Sequence, residues 1–346
     1  MSRLTPSLVV AAAASLLAAP SFAADFAADD FGSDSSLRSG YSEDWANSDV
    51  GDPLTFELGI RYWYSWGAQK FNVGSSALTD SDVSQSGEAH FRIDDASTKT
   101  YVKGLAGMAF KIDGSASDSS LGTVDTPVTD GHIAYAGADI GYSWLGDTKS
   151  GVTFGPFAGY MYWNDSPNLG RANYSTGTTT ADFTYDSAGS GNHIFGPGDS
   201  QENSIEVNML RLGFSGKANL GSMFDVSAEV AAVPYAKVSG TLGAFGVSTA
   251  SDASYTQFQS SAASIDGWGY GAMAEALVGF HPTQNLTFRV GGRAWYLQGQ
   301  ADTTYNTVTV TNDTNHTVVG TQEYISTANP WSLFRYGALA EMTYNF

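Results

Sequence analysis

The last fourteen residues, Leu333 to Phe346, constrain the fold most, because their side chains alternate with a period of two. Phe334, Tyr336, Ala338, Ala340, Met342, Tyr344 and Phe346 share one parity. Arg335, Gly337, Glu341, Thr343 and Asn345 share the other, with Leu333 and Leu339 among them. A β-strand sends successive side chains to opposite faces, so this run has one apolar and one largely polar face. Aromatics end the apolar face and small residues fill its middle. That arrangement suits lipid on one side and a polar lumen on the other. A soluble edge strand can alternate in the same way, so the rest of the chain decides.

The pattern recurs upstream. Strands are expected at about 54–66, 84–93, 99–112, 133–145, 152–163, 205–217, 224–237, 268–281 and 286–297. The first is cleanest: Leu54, Phe56, Leu58, Ile60, Tyr62, Tyr64 and Trp66 share one face. In the third, Val102, Ala106, Met108, Phe110 and Ile112 form the apolar face. Pro156 falls inside the fifth, where a missing donor predicts a local bulge. Connections after even-numbered strands are short; those after odd-numbered strands, at about 67–83, 113–132, 164–204, 238–267 and 298–332, are long. Short periplasmic turns and long outer loops are the bacterial barrel pattern. The fold expected is all-β, a closed antiparallel transmembrane β-barrel of ten strands. The second strand is weak, which leaves eight or twelve open.

Bulk features agree. Residues 1–23 have a signal-peptide layout: Arg3, an apolar run from Leu8 to Ala19, then Ser21-Phe22-Ala23. Residues 24–52 carry eight acids against Arg38 alone and are expected to be an acidic disordered periplasmic segment, leaving 53–346 for the barrel. No later stretch is apolar for eighteen residues, so no helical span is expected. A closed barrel satisfies every backbone group within a bilayer, as a helix does. The chain has no cysteine, which rules out disulfides and thiolate metal sites. Its net charge of −19 argues against nucleic acid as a partner.

The parity places fourteen charges in the lumen: Arg61, Arg92, Lys103, Arg211, Arg289, Arg293 and Arg335 against Glu57, Glu88, Asp139, Asp225, Glu229, Glu275 and Glu341. An Arg or Lys facing lipid at mid-bilayer costs ~2–4 kcal/mol, so their shared side supports the barrel. Seven against seven can pair and fill the interior; the alternative is a narrow, charge-lined path for ions or small solutes. His90, His132, His193, His281 and His316 show no ligand spacing, and neither a metal, a cofactor nor a catalytic residue is assigned. Asp80-Ser81-Asp82 and the loop acids are expected to be solvated, with divalent bridging to lipopolysaccharide phosphates as the rival reading. The Ser-, Thr-, Asn- and Tyr-rich outer loops suit an extracellular ligand.

Resemblances add to this. The aromatic ending, Tyr344 and Phe346, resembles the terminal signal read by the barrel-assembly machinery of Gram-negative bacteria. The order of short and long connections resembles the omptin barrel, as do Gly151–Trp163, Val278–Val290 and Gly337–Phe346. The omptin likeness implies protease activity from an Asp pair in the second outer loop facing an Asp–His pair in the fourth. Here the second loop offers Asp113, Asp118, Asp125 and Asp130, the fourth offers Asp252 and Asp266 without histidine, and Asp130-Gly131-His132 has the spacing in the wrong loop. Gly59–Gly67 (Gly-Ile-Arg-Tyr-Trp-Tyr-Ser-Trp-Gly) and Val102–Gly104 resemble a broad group of alphaproteobacterial outer-membrane barrels. The expected protein is therefore an outer-membrane barrel with an ion-pair-filled lumen, in contact with lipid and lipopolysaccharide, with a structural or surface-interaction role. A narrow pore and an omptin-like protease are the rivals.

Overall fold

The structure, a computed structural model, describes residues 54–73, 76–118, 125–128, 131–147, 151–167, 203–242, 248–251, 254–259, 263–311 and 318–346, with four short strands between 174 and 195. The expected signal peptide and the acidic segment lie outside them.

Ten strands form a closed antiparallel ring. They are β1 (Leu54–Val73), β2 (Ser76–Asp95), β3 (Thr100–Asp118), β4 (Gly131–Tyr142), β5 (Val152–Pro167), β6 (Ser204–Leu220), β7 (Phe224–Leu242), β8 (Ala263–Phe280), β9 (Leu286–Thr311) and β10 (Val318–Asn345). Each pairs with its sequence neighbours, and β10 closes on β1 from Glu57↔Asn345 to Phe71↔Trp331. Closure leaves no edge within the membrane, which is why a chain without helical spans can cross it.

The outer surface is apolar where the interior is charged. Ile60, Ile140 and Val290 are 59%, 61% and 62% exposed, while Glu88, Asp225 and Arg335 are buried. That inversion is the signature of lipid outside. Aromatics edge the belt: Phe154 stacks on Phe214 and Phe224 meets Phe280 towards one rim, and Trp66 stacks on Tyr336 towards the other. Tyr336 to Tyr344 on β10 covers about 26 Å of strand, or roughly 20 Å of height at a ~40° tilt, close to an outer-membrane apolar band.

The strands are longer than the alternation of apolar residues indicates. A tilted spanning strand needs about 9–11 residues, whereas β9 and β10 have 26 and 28. Much of the expected loops 67–83 and 298–332 is strand: β1 and β2 stay paired to Val73↔Ser76, and β9 and β10 to Val310↔Val318. Outside lipid the outward face no longer has to be apolar, so the sequence pattern fades while the backbone ladder continues. Two short strands, Ser248–Ser251 and Tyr255–Gln259, add to the outer part of β9.

Two local irregularities differ from the expectation. Ile112 points inward and is 3% exposed, not lipid-facing. The β2–β3 ladder slips one residue at Lys111/Ala109 opposite Gln85/Ser86, leaving Phe110 and Lys111 both exposed and reversing the parity beyond them. Pro156 stays in unshifted register with Phe214 on β6. The irregularity lies on its other neighbour: β4 stops at Tyr142, and Leu145–Asp147 resumes one residue out of step against β5. Gly155 permits that approach, because a Cβ there would meet the Tyr142 carbonyl oxygen at 1.8 Å.

Candidate functional site in the barrel interior

The inward side chains form tiers from the short-turn rim to the tall hairpins. In the lowest tier, Arg289 of β9 meets Asp225 of β7 at 3.1 Å, Glu341 of β10 at 2.7 Å and Glu57 of β1 at 3.4 Å. His281, in the turn after β8, sits 2.9 Å from Asp225 through Nε2 and 2.8 Å from the Thr287 hydroxyl through Nδ1. Thr287 is fully buried, so this Asp–His–Thr contact clamps the rim and offers no accessible nucleophile.

Above it, Arg293 of β9 donates to Glu88 of β2 at 2.6 Å and Glu275 of β8 at 2.7 Å. Arg61 of β1 pairs with Glu341 and lies 3.6 Å from Glu275. On the opposite wall Arg211 of β6 grips both Asp139 oxygens of β4 at 2.5 Å. Lys103 of β3 crosses the lumen to Glu229 of β7. Arg92 turns aside, 2.7 Å from Asp94 and 4.0 Å above the Tyr101 ring. The structure thus brings thirteen of the fourteen expected lumen charges into these two tiers. The fourteenth, Arg335, lies higher.

Between the charged tiers and the hairpins stands an aromatic partition. Trp163 of β5 lies 5.9 Å from Trp63 of β1, 4.9 Å from Tyr135 of β4 and 5.6 Å from Trp295 of β9. In a ring of ten, β1 and β9 each stand four places from β5, so these rings bridge wall to wall. All four side chains are buried. Charges below support them: Tyr135 donates to Glu88 at 2.6 Å, and the Arg293 guanidinium sits 5.1 Å from the Trp63 centroid. Trp63, Trp163 and Trp295 carry no assignment from the sequence. Their inward parity was the available signal.

Above the partition, Arg335 of β10 reaches Asp82 of β2 at 2.7 and 2.8 Å and Asp165 of β5, diametrically opposite, at 3.0 and 3.1 Å. Ser84 and Ser65 also accept from it, at 3.0 and 3.3 Å. Gly67 makes room: a Cβ there would lie 2.4 Å from the guanidinium. Asp80 also points inward, and no side chain donates to its oxygens. Asp80 and Asp82 are therefore interior groups, not the solvated loop acids expected. No cluster of metal-ligating residues occurs among the described residues. Higher still the interior is an apolar core, with Phe71 stacked 6.1 Å from Trp331 above Ile133, Ile205, Val238 and Leu297.

One cavity of about 180 Å³ lies in the lower tiers, lined by Glu57, Arg61, His90, Lys103, Arg211 and Glu275 among others, down to Thr55 and Asn345 at the short-turn rim. Tyr344 and Phe346 face outward at that rim, with ring centroids 4.9 Å apart. Of the acids in the omptin-type loops, Asp113 pairs with Lys111 and Asp266 with Lys237, all four exposed and turned away from the interior. Asp130 and Asp252 lie outside the described residues. His132 is half-buried near the start of β4.

No family model matches the sequence, and no curated protein sequence matches it significantly. Solved structures do. The outer membrane protease OmpT from Escherichia coli superposes with a TM-score of 0.54 at 11% identity, covering 86% of this chain and 98% of that one. The translocator domain of the autotransporter NalP from Neisseria meningitidis gives 0.34 at 10% identity, over 88% and 92%. The outer membrane protein OprG from Pseudomonas aeruginosa gives 0.27 at 11%, over 85% and 95%. The OmpT overlap shows a shared barrel fold and nothing about chemistry. With its closed ring, apolar belt and aromatic rims, the chain is an outer-membrane β-barrel.

Proposed function

We propose that this protein is a non-conducting, non-enzymatic barrel whose blocked interior serves the envelope and whose tall hairpins present a polar surface outside. The observation that carries this reading is the four-ring partition, supported by the Arg335–Asp165 bond across the full width. A filled interior is what barrels at the small end of the size range have, whereas aqueous channels belong to wider rings. The test is single-channel recording in planar bilayers. The wild type is expected to give no steps above background, and a reproducible unitary current would sink the reading in favour of a narrow porin-like channel.

An omptin-like protease is disfavoured because Asp113 and Asp266 turn outward. Purified refolded protein is expected to leave peptides intact; cleavage lost on changing Asp130 or His132 would reverse that. Two partners follow from the outer face: lipid and lipopolysaccharide along the belt and its upper aromatic rim, and the barrel-assembly machinery at Tyr344 and Phe346. Deleting Phe346 is expected to lower the yield of folded, membrane-inserted protein in cells without changing the stability of barrel refolded in detergent. An equal loss in both would assign Phe346 to stability alone.

A further inference from the structure

The cavity in the lower tiers carries more than a filling role. Its roughly 180 Å³ has room for several waters or for a solute the size of an amino acid. It is lined by six carboxylates and six Arg or Lys side chains. A ligand with net charge would unbalance those walls, and an apolar one would strip their water and satisfy nothing. A neutral ligand bearing both charges fits.

Two buried polar atoms sharpen this. Arg211 is 1% exposed and its Nε has no hydrogen-bond partner; His90 is 6% exposed and its Nε2 makes no hydrogen bond, with the Glu341 carboxylate 3.5 Å away. Both residues line the cavity, from β6 and β2 on opposite walls. Near Arg211 stands Lys103, its side chain 22% exposed. Across from them stand Glu57 and Glu275, their side chains 13% exposed each against 0% for Glu341.

We infer that this cavity is a binding site for a small zwitterion, which enters from the short-turn, periplasmic side and stops beneath the aromatic partition. The ligand carboxylate accepts from Arg211 Nε–H and lies beside Lys103. Its ammonium donates to His90 Nε2 and faces Glu57 and Glu275. This goes beyond the closed-barrel reading, and its test is independent of conductance.

The test is calorimetric titration of the folded barrel in detergent with glycine, L-alanine and L-proline, alongside N-acetyl-L-alanine and L-alaninamide, which each keep one charge. At least one free amino acid is expected to bind saturably, at least about tenfold tighter than both single-charge probes. Arg211→Lys, which keeps the charge and loses the Nε–H, should weaken binding by about tenfold while heat-dependent gel migration stays normal. If that variant does not fold, Lys103→Met gives the same reading from the neighbouring group. No saturable binding by any free amino acid, or equal binding of all five probes, overturns the proposal.

Discussion

The lower and upper halves of the interior obey opposite rules. Below the partition, the inward face carries the ion pairs and the outward face is apolar; above it, Ile133, Ile205, Val238 and Leu297 point inward while Lys70, Lys111 and Lys237 are exposed. The backbone ladder is the same throughout, so the change follows the medium outside. Where lipid surrounds the ring, polar groups must find partners within it. Where water surrounds it, the same ring builds the core of a soluble β-protein. The two halves should therefore differ in what holds them. Buried ion pairs roughly break even against desolvation, whereas each fully buried large apolar side chain contributes about 1.5–3 kcal/mol. Stability should concentrate in the partition and the core above it, and hydration in the charged half below.

The harshest way to break this contrast is to remove the boundary. Trp63→Ala with Trp163→Ala should cost well over the ~3–5 kcal/mol of a single buried Trp truncation. It should also join the lower cavity to the upper interior. Urea unfolding in detergent measures the first effect, and unitary conductance absent from the wild type measures the second. A stable variant without current would mean that the core above is itself a seal.

Next in size is Arg335, the buried cation above the partition. Arg335→Ala leaves Asp82 and Asp165 buried without their partner, and breaking a buried pair in this way costs about 3–5 kcal/mol. Adding Asp82→Asn should restore part of the loss, and a purely additive double variant would argue that the residues do not act as a pair.

Asp80 sharpens the contrast through pH. It lies beyond the rim marked by Trp66 and Tyr336, level with exposed Ser81 and outside the lipid-spanning part of β2. Burial, with Asp82 and Asp165 beside it, pushes its carboxyl up to about 8, and Arg335 only partly offsets this. Gln69 pairs with it from β1 and Ala116 from β3, so neither adjacent strand adds a charge there. The folded state then holds a proton that the unfolded chain releases near pH 4. Stability from this group is complete below about pH 4 and is lost as pH rises through about 8. Asp80→Asn should flatten the alkaline fall in melting temperature between pH 6 and 9, and an unchanged slope would place the sensitivity elsewhere.

The lower half was legible in the sequence, and the upper half was not. Parity from the apolar belt carried Arg61, Glu275 and Arg293 to the correct side, because lipid forces a strict alternation. Above the belt that constraint vanishes: Lys70 and Asn72 outward with Phe71 inward read as loop, yet they continue β1. The Arg335–Asp165 contact joins residues on opposite strands, which no local pattern reports. The slip at Lys111 inverted Ile112 for the same reason, since a bulge shows only in the partner's register.

The smallest expected effect lies at the rim furthest from the hairpins. In the β2–β3 turn, Asp95 accepts from the Ser97 backbone at 2.8 Å and from the Ser97 and Thr98 hydroxyls at 2.6 and 2.8 Å. These bonds hold its carboxyl down at about 2, and they fix the turn in which Lys99 adopts a φ of +58°. A group with a depressed pKa contributes above its unfolded value, near 4, and loses that contribution as pH falls through about 2. Asp95→Ala should therefore lower the urea midpoint slightly at pH 7 and by much less at pH 2. Because Ala96 to Lys99 are exposed, the shift should be far smaller than that of Arg335→Ala. A comparable shift would mean that the short-turn rim, and not the interior above the partition, limits unfolding.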